Sequence, residues 1–451
     1  MKIEKIEILS TSEKYYRPIP IAVGTQERRE NIIVRITADN GLAGYGEGSP
    51  LIPSYSGETR DQMVDDIVKR IAPDILVREI ETVQDVVGLM DLVYRNKYYY
   101  MCTLAAVDIA LFDLLGKMRE KPVFQLVRDH LGLGEMSEIP RLPANFTVSR
   151  RATDEDDQIP EMIREAEECV DRGYSVIKVK IGVHRDSDVE SIKRLYSHLG
   201  KKYRRRIYLF ADGNQAYGTV DEALEVVGEI KECIVCLEQP FHRDIPHLSS
   251  ELNRKLKKMQ KAPLLITDEG SASIEEMENC LISDAGGGAL LKMVRSGGFS
   301  YVLKLARLLR DFPGFKLAPC SMTETGIGTM ANLHSALIIY EHCHPLLGFG
   351  FDGPMQVVGE SYREGNDTII YERGLITRDT GGTAVYDPGQ VVGDGRGLGL
   401  KINSRYLEKI TIGVTTVTVS GGDVVMDACV NGRRTREIIG SREGLLKHPR
   451  Y

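Results

Sequence analysis

The amino-acid sequence predicts an α/β protein in which a closed barrel of parallel strands is joined to a smaller α+β unit. The chain has 451 residues, which exceeds one ordinary domain and suits a barrel of about 250 residues with one further domain. Between about residues 140 and 353, apolar runs of strand character alternate with helical stretches in eight units. Eight such units favour a closed barrel over an open sheet. Five of the apolar runs end in charged residues, where barrel enzymes carry their catalytic groups.

Residues 1–135 are predicted to form the α+β unit. Residues 2–9 and 31–38 alternate between apolar and polar as half-buried strands do, and Asp39-Asn40-Gly41 is a turn signal that leads into residues 42–47. Helices are predicted over residues 60–71, 83–94 and 102–119. Two loops, residues 13–18 and 50–59, carry the tyrosine and charged side chains typical of recognition loops.

Residues 136–353 are predicted to form the barrel. Its strands are expected at residues 144–148, 176–180, 207–212, 234–238, 263–268, 288–293, 315–320 and 346–351. Its helices are expected at residues 158–172, 188–199, 220–231, 274–282, 299–311 and 330–340. Residues 354–451 contain short strands and glycine-rich turns, and we expect residues 378–412 to pack back on the N-terminal unit and complete it. The tail beyond about residue 412 has strand character over residues 414–433 but no identifiable partner.

Charge and composition argue against several classes of partner. The formal net charge is −7 with acidic and basic residues interspersed, so nothing indicates binding to nucleic acid or to an anionic membrane. No apolar run approaches the roughly 18 residues of a membrane span, and the first residues alternate as a strand does, so we expect a cytoplasmic protein. The eight cysteines lie in apolar runs, as reduced and packed thiols do. Cys233 and Cys236 have a redox or metal-binding spacing, but they fall within a predicted strand, so core packing is expected.

The charged residues at the strand ends are predicted to meet in the mouth of the barrel. The second strand, Val-Ile-Lys-Val-Lys, places Lys178 and Lys180 two residues apart and therefore on one face. Lys292 ends the sixth strand, half a turn around the barrel from Lys180. Buried lysines need acidic partners, because an unpaired buried charge is costly. The third, fourth and fifth strands supply them as Asp212, Glu238 and Asp268.

Three converging carboxylates predict a magnesium site. They repel one another unless a cation lies between them, and an all-oxygen ligand set completed by water and substrate suits Mg²⁺, with Mn²⁺ as a substitute. A carboxylate substrate chelated to this ion has its α-proton acidified, because the ion stabilises the enediolate formed on deprotonation. Lys180 and Lys292 can then take the proton from one face and return it to the other, with Lys178 making Lys180 a better base by like-charge repulsion. Asn214 and Glu269 are expected to contact these residues and orient them, and Glu269 can pair with a lysine.

This ordered set resembles the enolase superfamily, and within it the muconate lactonizing enzyme subgroup. The resemblance covers most of the chain and rests on Lys178-Val179-Lys180, Asp212-Gly213-Asn214, Glu238-Gln239-Pro240, Asp268-Glu269 and Lys292. Further matches are Gly44-Tyr45-Gly46-Glu47 and residues 54–59, 110–117 and 322–328. The resemblance implies a (β/α)₇β barrel and a capping domain built from both chain ends. It further implies that Asp212, Glu238 and Asp268 bind Mg²⁺ and that Lys180 and Lys292 form the acid/base pair. It also implies that the two recognition loops close over the substrate.

Differences within the superfamily narrow the expected substrate. The mandelate racemase subgroup and the glucarate dehydratases use a histidine on the seventh strand, where this chain has Leu317-Ala318-Pro319. Relatives that act on dipeptides carry Asp-x-Asp on the eighth strand. This chain has Gly350-Phe351-Asp352 there, so only the second of the two positions is acidic. Asp352 can still bind one cationic amine, and Arg17 can bind a second carboxylate. The remaining predicted substrate contacts are Glu324 and, for a ring or an alkylated ammonium, Tyr15, Tyr16 and Tyr55.

We therefore predict an enzyme that racemises or epimerises a small amino acid derivative, such as an N-acyl amino acid, a proline or betaine type, or a dipeptide. Muconate cycloisomerisation is the alternative on the same site, and dehydration of a hydroxy acid or acid sugar is a further outcome. A Schiff-base aldolase would use Lys180 or Lys292 as its imine-forming amine but leaves three carboxylates without a role. A non-catalytic scaffold would bury five ionisable groups at a high cost in stability. A homo-oligomer is expected.

Overall fold

The computed structural model describes residues 1–21, 24–51, 53–95, 100–148, 158–182, 185–204, 206–344, 347–350, 376–380, 382–391 and 395–441. The strands are β1 (Ile3–Thr11), β2 (Glu13–Ile21), β3 (Gly24–Arg29), β4 (Ile32–Ala38), β5 (Ala43–Gly48), β6 (Leu142–Pro143), β7 (Asn145–Val148), β8 (Val176–Lys180), β9 (Tyr208–Asp212), β10 (Ile234–Glu238), β11 (Leu264–Thr267), β12 (Gly288–Leu291), β13 (Lys316–Pro319), β14 (Ile376–Arg378), β15 (Ala384–Tyr386), β16 (Thr411–Ser420), β17 (Asp423–Val430) and β18 (Arg433–Ser441).

The α-helices are α1 (Pro53–Ser56), α2 (Arg60–Asp66), α3 (Ala72–Ile75), α4 (Val83–Arg95), α5 (Met101–Arg119), α6 (Val123–Leu131), α7 (Ile159–Asp171), α8 (Arg185–Lys202), α9 (Val220–Ile230), α10 (Pro246–Leu256), α11 (Ile274–Ile282), α12 (Phe299–Leu308), α13 (Gly326–Ile338), α14 (Pro388–Val391) and α15 (Ser404–Ile410). A π-helical turn, Ile67–Ile71, continues α2 into α3. Shorter 3₁₀ turns lie at Glu269–Ser271, Leu309–Asp311 and Tyr340–His342.

Seven parallel strands form the barrel in the order β7-β8-β9-β10-β11-β12-β13, and each is followed by one helix of the series α7 to α13. Parallel bridges join Phe349 to Ala144 and Gly350 to Cys320, so residues 347–350 take the place of the eighth strand between the two ends of the sheet. The predicted barrel is therefore confirmed. It is a closed ring of eight positions, with β8 at the second position and β12 at the sixth.

Most barrel elements begin and end close to their predicted bounds. The strands β8 and β10 match the prediction at both ends, whereas β11 and β12 stop one or two residues early. Asp268 and Lys292 therefore directly follow their strands instead of lying within them. Helix α13 begins four residues before the prediction, because the Thr325 hydroxyl accepts a hydrogen bond from the backbone N–H of Ile327 and caps the helix there.

A six-stranded antiparallel sheet forms the cap, in the order β18-β17-β16-β1-β4-β5. Helix α5 packs against its β5 end and is buried from Cys102 to Gly116, as its largely apolar sequence indicates. Gly44, Gly46 and Gly48 allow this close contact. A Cβ atom at Gly46 would lie only 2.1 Å from the carbonyl oxygen of Ala106. The helix and strand backbones are thus packed closely enough to require glycine.

The C-terminal segment divides between the barrel and the cap. Strand β15 pairs with β6 at the start of the barrel and β14 pairs with β15, so the prediction that residues 378–412 pack on the N-terminal unit is wrong for this first part. One edge of β6 pairs with β15, and Ala384, Val385 and Tyr386 of that strand are buried. The second part does contact the N-terminal unit, since the backbone N–H of Leu398 donates to Asp113 Oδ1 at 2.8 Å. The unassigned tail forms β16, β17 and β18 beside β1.

In the described part of the chain, no helix combines the length and the apolar character that crossing a bilayer requires. The eight cysteines all lie in the described residues and form no disulfide, and Cys236 is buried inside β10 as predicted. Cys233 lies just before that strand and is partly exposed.

Candidate active site

Neighbouring strands bring the predicted charged residues together at one end of the barrel. Lys180, the last residue of β8, is the register partner of Asp212 on β9, and Asp212 is the register partner of Glu238 on β10. Asp268 and Lys292 follow the next two strands, β11 and β12. Because β8 and β12 are half a turn apart in the eight-position ring, the two lysines flank the three carboxylates from opposite sides.

Two lysines and two carboxylates form the first half of the site. Lys178 Nζ lies 3.1 Å from Asp212 Oδ2 and 2.6 Å from Glu238 Oε2. Lys180 Nζ donates to the same Asp212 oxygen. The Lys178 side chain is 4% exposed and that of Lys180 is 22% exposed. Lys178 therefore balances buried negative charge, while Lys180 is accessible to a small molecule.

Lys292, Asp268, Arg295 and Tyr55 form the second half, called here the Lys292 cluster. Lys292 Nζ donates to Asp268 Oδ2 at 2.6 Å and to the Tyr55 hydroxyl at 2.9 Å. Arg295 Nη1 lies 2.9 Å from Asp268 Oδ1 and donates to the Tyr55 hydroxyl at 2.8 Å. Tyr55 comes from α1 of the N-terminal unit, so the cap contributes directly to the barrel site.

The carboxylates carry opposite pKa shifts. Burial acts to raise the pKa of Asp212, but the Lys180 and Lys178 ammonium groups outweigh it and hold that pKa well below its usual value. The pKa of Asp268 is likewise lowered, because Lys292 and Arg295 outweigh the effect of burial. Burial, and then the negative charge of Asp212, raise the pKa of Glu238 well above its usual range. Glu238 is thus the carboxylate whose charge the protein's own cations balance least.

Lys178 itself is held in the charged form. Burial acts to lower its pKa, but the Glu238 and Asp212 carboxylates outweigh it and raise the pKa well above the usual value. Glu269, the neighbour of Asp268, has its pKa raised to about 7 by burial and by the Asp268 charge. The Nδ2 group of Asn214 donates to Glu269 Oε1 at 3.4 Å, so the two predicted supporting residues lie together.

Sequence reasoning assigned no role to two residues that hold Asp268 in place. Gln239 Oε1 accepts hydrogen bonds from the backbone N–H groups of Asp268 at 2.7 Å and Gly270 at 3.1 Å. Arg295 Nη2 donates to the Asp268 backbone carbonyl at 2.9 Å. The sequence signal for Arg295 is weak, because it follows Lys292 by three residues and precedes a Ser-Gly-Gly stretch typical of a loop.

The six predicted substrate contacts fall into three groups. Tyr55 joins the Lys292 cluster described above. Tyr15 and Glu324 are buried where the cap meets the loop after β13, and burial raises the pKa of Tyr15 to about 12. Asp352 lies outside the described residues, as do the side chains of Tyr16 and Arg17 on β2. These assignments to substrate stay predictions.

The cap holds the loop after β13 through Glu47. Its carboxylate accepts from the Thr325 backbone N–H at 2.8 Å, the Thr325 hydroxyl at 2.6 Å and the Gly328 N–H at 2.9 Å. Arg29, which pairs with Glu13, donates to the Glu324 carbonyl at 2.7 Å. The Gly-Tyr-Gly-Glu stretch noted in the sequence therefore joins the cap to the barrel.

The carboxylate set fits a hard divalent cation in its donor chemistry. Glu238 Oε1 and Glu269 Oε2 are buried oxygens that have no hydrogen-bond partner among the residues the structure describes, and a cation beside Glu238 would offset the repulsion from Asp212. Among the described residues, no three acidic, histidine or cysteine side chains are already spaced as a metal cluster. Each carboxylate is instead turned toward a lysine ammonium.

Two family descriptions match this chain and decide its membership. "Enolase C-terminal domain-like" matches residues 161–406, which is more than half of the chain. "Mandelate racemase / muconate lactonizing enzyme, N-terminal domain" matches residues 5–127. The chain belongs to the mandelate racemase/muconate lactonizing enzyme family of the enolase superfamily. The resemblance noted in the sequence is confirmed, and with it the conclusion that this superfamily member is an enzyme.

Relatives of this enolase-superfamily chain include isomerases of amino acid derivatives. The N-succinyl-L-Arg/Lys racemase of Bacillus cereus is 24% identical over 413 residues, spanning 91% of this chain and 98% of that protein. The L-Lys-D/L-Arg epimerase of Desulforapulum autotrophicum is 26% identical and spans 74% of this chain and 87% of that protein.

Solved structures share the fold. The crystal structure of the Bacillus cereus N-succinyl Arg/Lys racemase has a TM-score of 0.74 at 23% identity, covering 92% of this chain and all of that one. The dipeptide epimerase from Cytophaga hutchinsonii, complexed with Mg and the dipeptide D-Ala-L-Val, gives the same TM-score, identity and coverage. Muconate lactonizing enzyme from Pseudomonas fluorescens has a TM-score of 0.72 at 21% identity, covering 91% of this chain and 99% of that one.

Proposed function

We propose that this enzyme racemises or epimerises an amino acid derivative by moving the proton α to its carboxylate. The observation that carries the proposal is the placement of Lys180 and Lys292 on opposite sides of one carboxylate-lined barrel mouth. A single base suffices to remove a proton, whereas inversion needs a second proton donor on the other face. The pair of lysines supports a two-base reaction.

The position of each lysine in the barrel mouth determines its role in the proposed reaction. Lys180, the more exposed lysine, takes or returns the proton on the β8 side, and Lys292 does so on the β12 side. Lys178 stays charged and keeps Asp212 and Glu238 in place. Mg²⁺, held by Asp212, Glu238 and Asp268, would neutralise the charge that builds on the substrate carboxylate. Mn²⁺ has the same preference for oxygen ligands and is a substitute.

The substrate class follows from the relatives and from the cap. The names of the relatives include N-succinyl-L-Arg/Lys racemase, hydrophobic dipeptide epimerase and L-Ala-D/L-Glu epimerase. We infer an N-acylated or otherwise derivatised amino acid, with Tyr55 against it and Tyr15, Tyr16, Arg17, Glu324 and Asp352 as further contacts. The eight cysteines, all of them within the described residues, form no disulfide, which supports a cytoplasmic location, and a homo-oligomeric assembly is part of the same proposal.

The test is α-proton exchange followed by NMR. Mg²⁺-loaded protein is incubated in D₂O with separate pools of N-succinylated and N-acetylated amino acids, proline derivatives, dipeptides and muconates. We expect deuterium at the α position together with inversion in one of the amino acid pools. Lys180→Ala and Lys292→Ala should each lower the inversion rate by about 10²- to 10⁴-fold. EDTA should abolish exchange, and added Mg²⁺ or Mn²⁺ should restore it.

The matched control is Lys193→Ala, which removes an exposed lysine in the middle of α8 whose ammonium group pairs with Glu229. It should leave the exchange rate unchanged. A lactone signal from the muconate pool, without α-exchange elsewhere, would replace the proposal with cycloisomerisation. Exchange that survives EDTA, or that both lysine variants retain, would contradict the mechanism.

A further inference from the structure

Each of the two base lysines shares its carboxylate with a second, buried cation. On the β8 side, Lys178 and Lys180 both contact Asp212 Oδ2. On the β12 side, Arg295 lies 2.9 Å from Asp268 Oδ1 while Lys292 lies 2.6 Å from Oδ2. The two halves of the site thus repeat one arrangement, a lysine, a carboxylate and a buried cation.

The β12 side contains an additional connection through the cap. The Tyr55 hydroxyl accepts from Lys292 Nζ and from Arg295 Nη1, and it donates to Asp268 Oδ2 at 3.1 Å. Both cations also lie near the face of the Tyr55 ring, with Lys292 Nζ 5.4 Å and the Arg295 guanidinium carbon 5.6 Å from its centroid. A single phenol therefore joins the base to the arginine.

Arg295 is suited to act as a fixed reference point in this cluster. It is 3% exposed, and its planar guanidinium reaches three separate acceptors, which are the Asp268 carboxylate, the Asp268 carbonyl and the Tyr55 hydroxyl. A lysine ammonium, in contrast, lies on a flexible four-carbon stem and takes its position from its neighbours.

We propose that Arg295, acting through Tyr55 and Asp268, is a positioning residue for Lys292 and not for Lys180. It holds the Lys292 ammonium at the face of the substrate that this lysine serves. The inference rests on the proposed function, because it assigns Arg295 to one half of a two-base reaction. It predicts a defect confined to one substrate enantiomer, which general damage to the site would not produce.

The test uses proteins that keep a single base. In a Lys180→Ala background only Lys292 exchanges the α-proton, and in a Lys292→Ala background only Lys180 does. Adding Arg295→Met to the first background should lower α-exchange of the corresponding enantiomer by about 10- to 100-fold, with KM little changed, because a small displacement of a base is costly. Both backgrounds are measured at saturating Mg²⁺, because Arg295 also contacts the proposed metal ligand Asp268. Under that condition, adding Arg295→Met to the second background should change exchange of the other enantiomer by less than about threefold.

Two further variants separate positioning from folding. Arg295→Lys keeps a cation beside Asp268 and should recover part of the loss. Tyr55→Phe keeps the ring but removes the shared hydroxyl, so it should reproduce the one-sided loss, and combining it with Arg295→Met should add little. Equal losses in both single-base backgrounds would overturn the proposal, because Arg295 would then support the whole site.

A second measurement needs no substrate. Reductive methylation of the otherwise wild-type protein, read by peptide mass spectrometry, gives the labelling of Lys292 relative to Lys180. Arg295→Met should raise this ratio severalfold, because Lys292 loses its restraint. An unchanged ratio overturns the positioning of Lys292, whereas a raised ratio supports it. Absence of exchange in both single-base backgrounds counts instead against the proposed function.

Discussion

Lowering the pH should destabilise this protein through His334, a fully buried histidine in α13. His334 Nδ1 accepts a hydrogen bond from the backbone N–H of Phe124 at 3.1 Å, and the imidazole packs 5.7 Å from the Phe124 ring. An accepting Nδ1 requires the neutral imidazole. Burial lowers the pKa of His334 from 6.5 to about 4, since the charged form would lose its hydration.

The sign and size of the effect follow from this shift. The pKa of His334 is lower in the folded state, so between pH 6.5 and pH 4 the unfolded chain binds a proton at this histidine that the folded protein does not bind. The contribution to folding is intact above pH 6.5 and is lost as the pH falls. Linkage gives a loss of about 2 kcal/mol at pH 5 and about 3 kcal/mol below pH 4.

Urea unfolding at pH 8 and pH 5 measures this loss. His334→Asn keeps an acceptor at the Nδ1 position but cannot titrate, so its loss of stability between the two pH values should be smaller than that of the wild type by about 2 kcal/mol. His247→Asn removes an exposed histidine and should behave as the wild type does. An equal loss in the wild type and His334→Asn would refute the reasoning, because the carboxylates that titrate in this range are common to both proteins.

Three other substitutions test the packing, the metal ligands and the contact between cap and barrel. Gly46→Ala should destabilise the protein by at least about 1–3 kcal/mol in urea unfolding, because its Cβ meets the backbone of α5, whereas Gly88→Ala, on an exposed helix face with open space, should stabilise it by about 0.5–1 kcal/mol. Glu238→Gln should weaken Mg²⁺ binding in calorimetry by more than about 100-fold, and Glu275→Gln, on an exposed position of α11, should leave it unchanged. Glu47→Gln leaves an amide facing backbone donors, so it should speed hydrogen exchange of the Thr325 amide, and unchanged protection there would contradict the role given to Glu47.

The barrel could be predicted from sequence because its signals are local. Each apolar run is bounded by turn residues, and the strand ends carry charges whose burial needs a reason. The sequence therefore predicted that Lys180 and Asp212 lie together, and in the structure they are register partners. The order of the strands along the chain is also their order in the ring, so counting strands was enough to place Lys292 opposite Lys180.

The remaining features depend on contacts distant in sequence. Residues 411–441 alternate as strands do, but no local signal selects β1 as their neighbour. Arg295 follows a strand by four residues and resembles a loop arginine, because its partners Tyr55 and Asp268 lie 240 and 27 residues away. The pairing of β15 with β6 was missed for the same reason, since a two-residue strand carries no periodicity.

The position of β1 in the cap also bears on how the chain folds during synthesis. One neighbour of β1, the strand β4, follows within about 30 residues, but the other, β16, is made about 400 residues later. At translation rates of about 5–20 residues per second, one edge of β1 waits about 20–80 s for its partner. Through that interval one edge of β1, the strand that carries Ile6 and Ile8, stays unpaired in the nascent cap. An unpaired strand edge is a template for pairing with other chains. Slower translation initiation lowers the number of such chains present at one time, so it should improve the soluble yield more for this protein than for a barrel whose cap is complete within its first 130 residues.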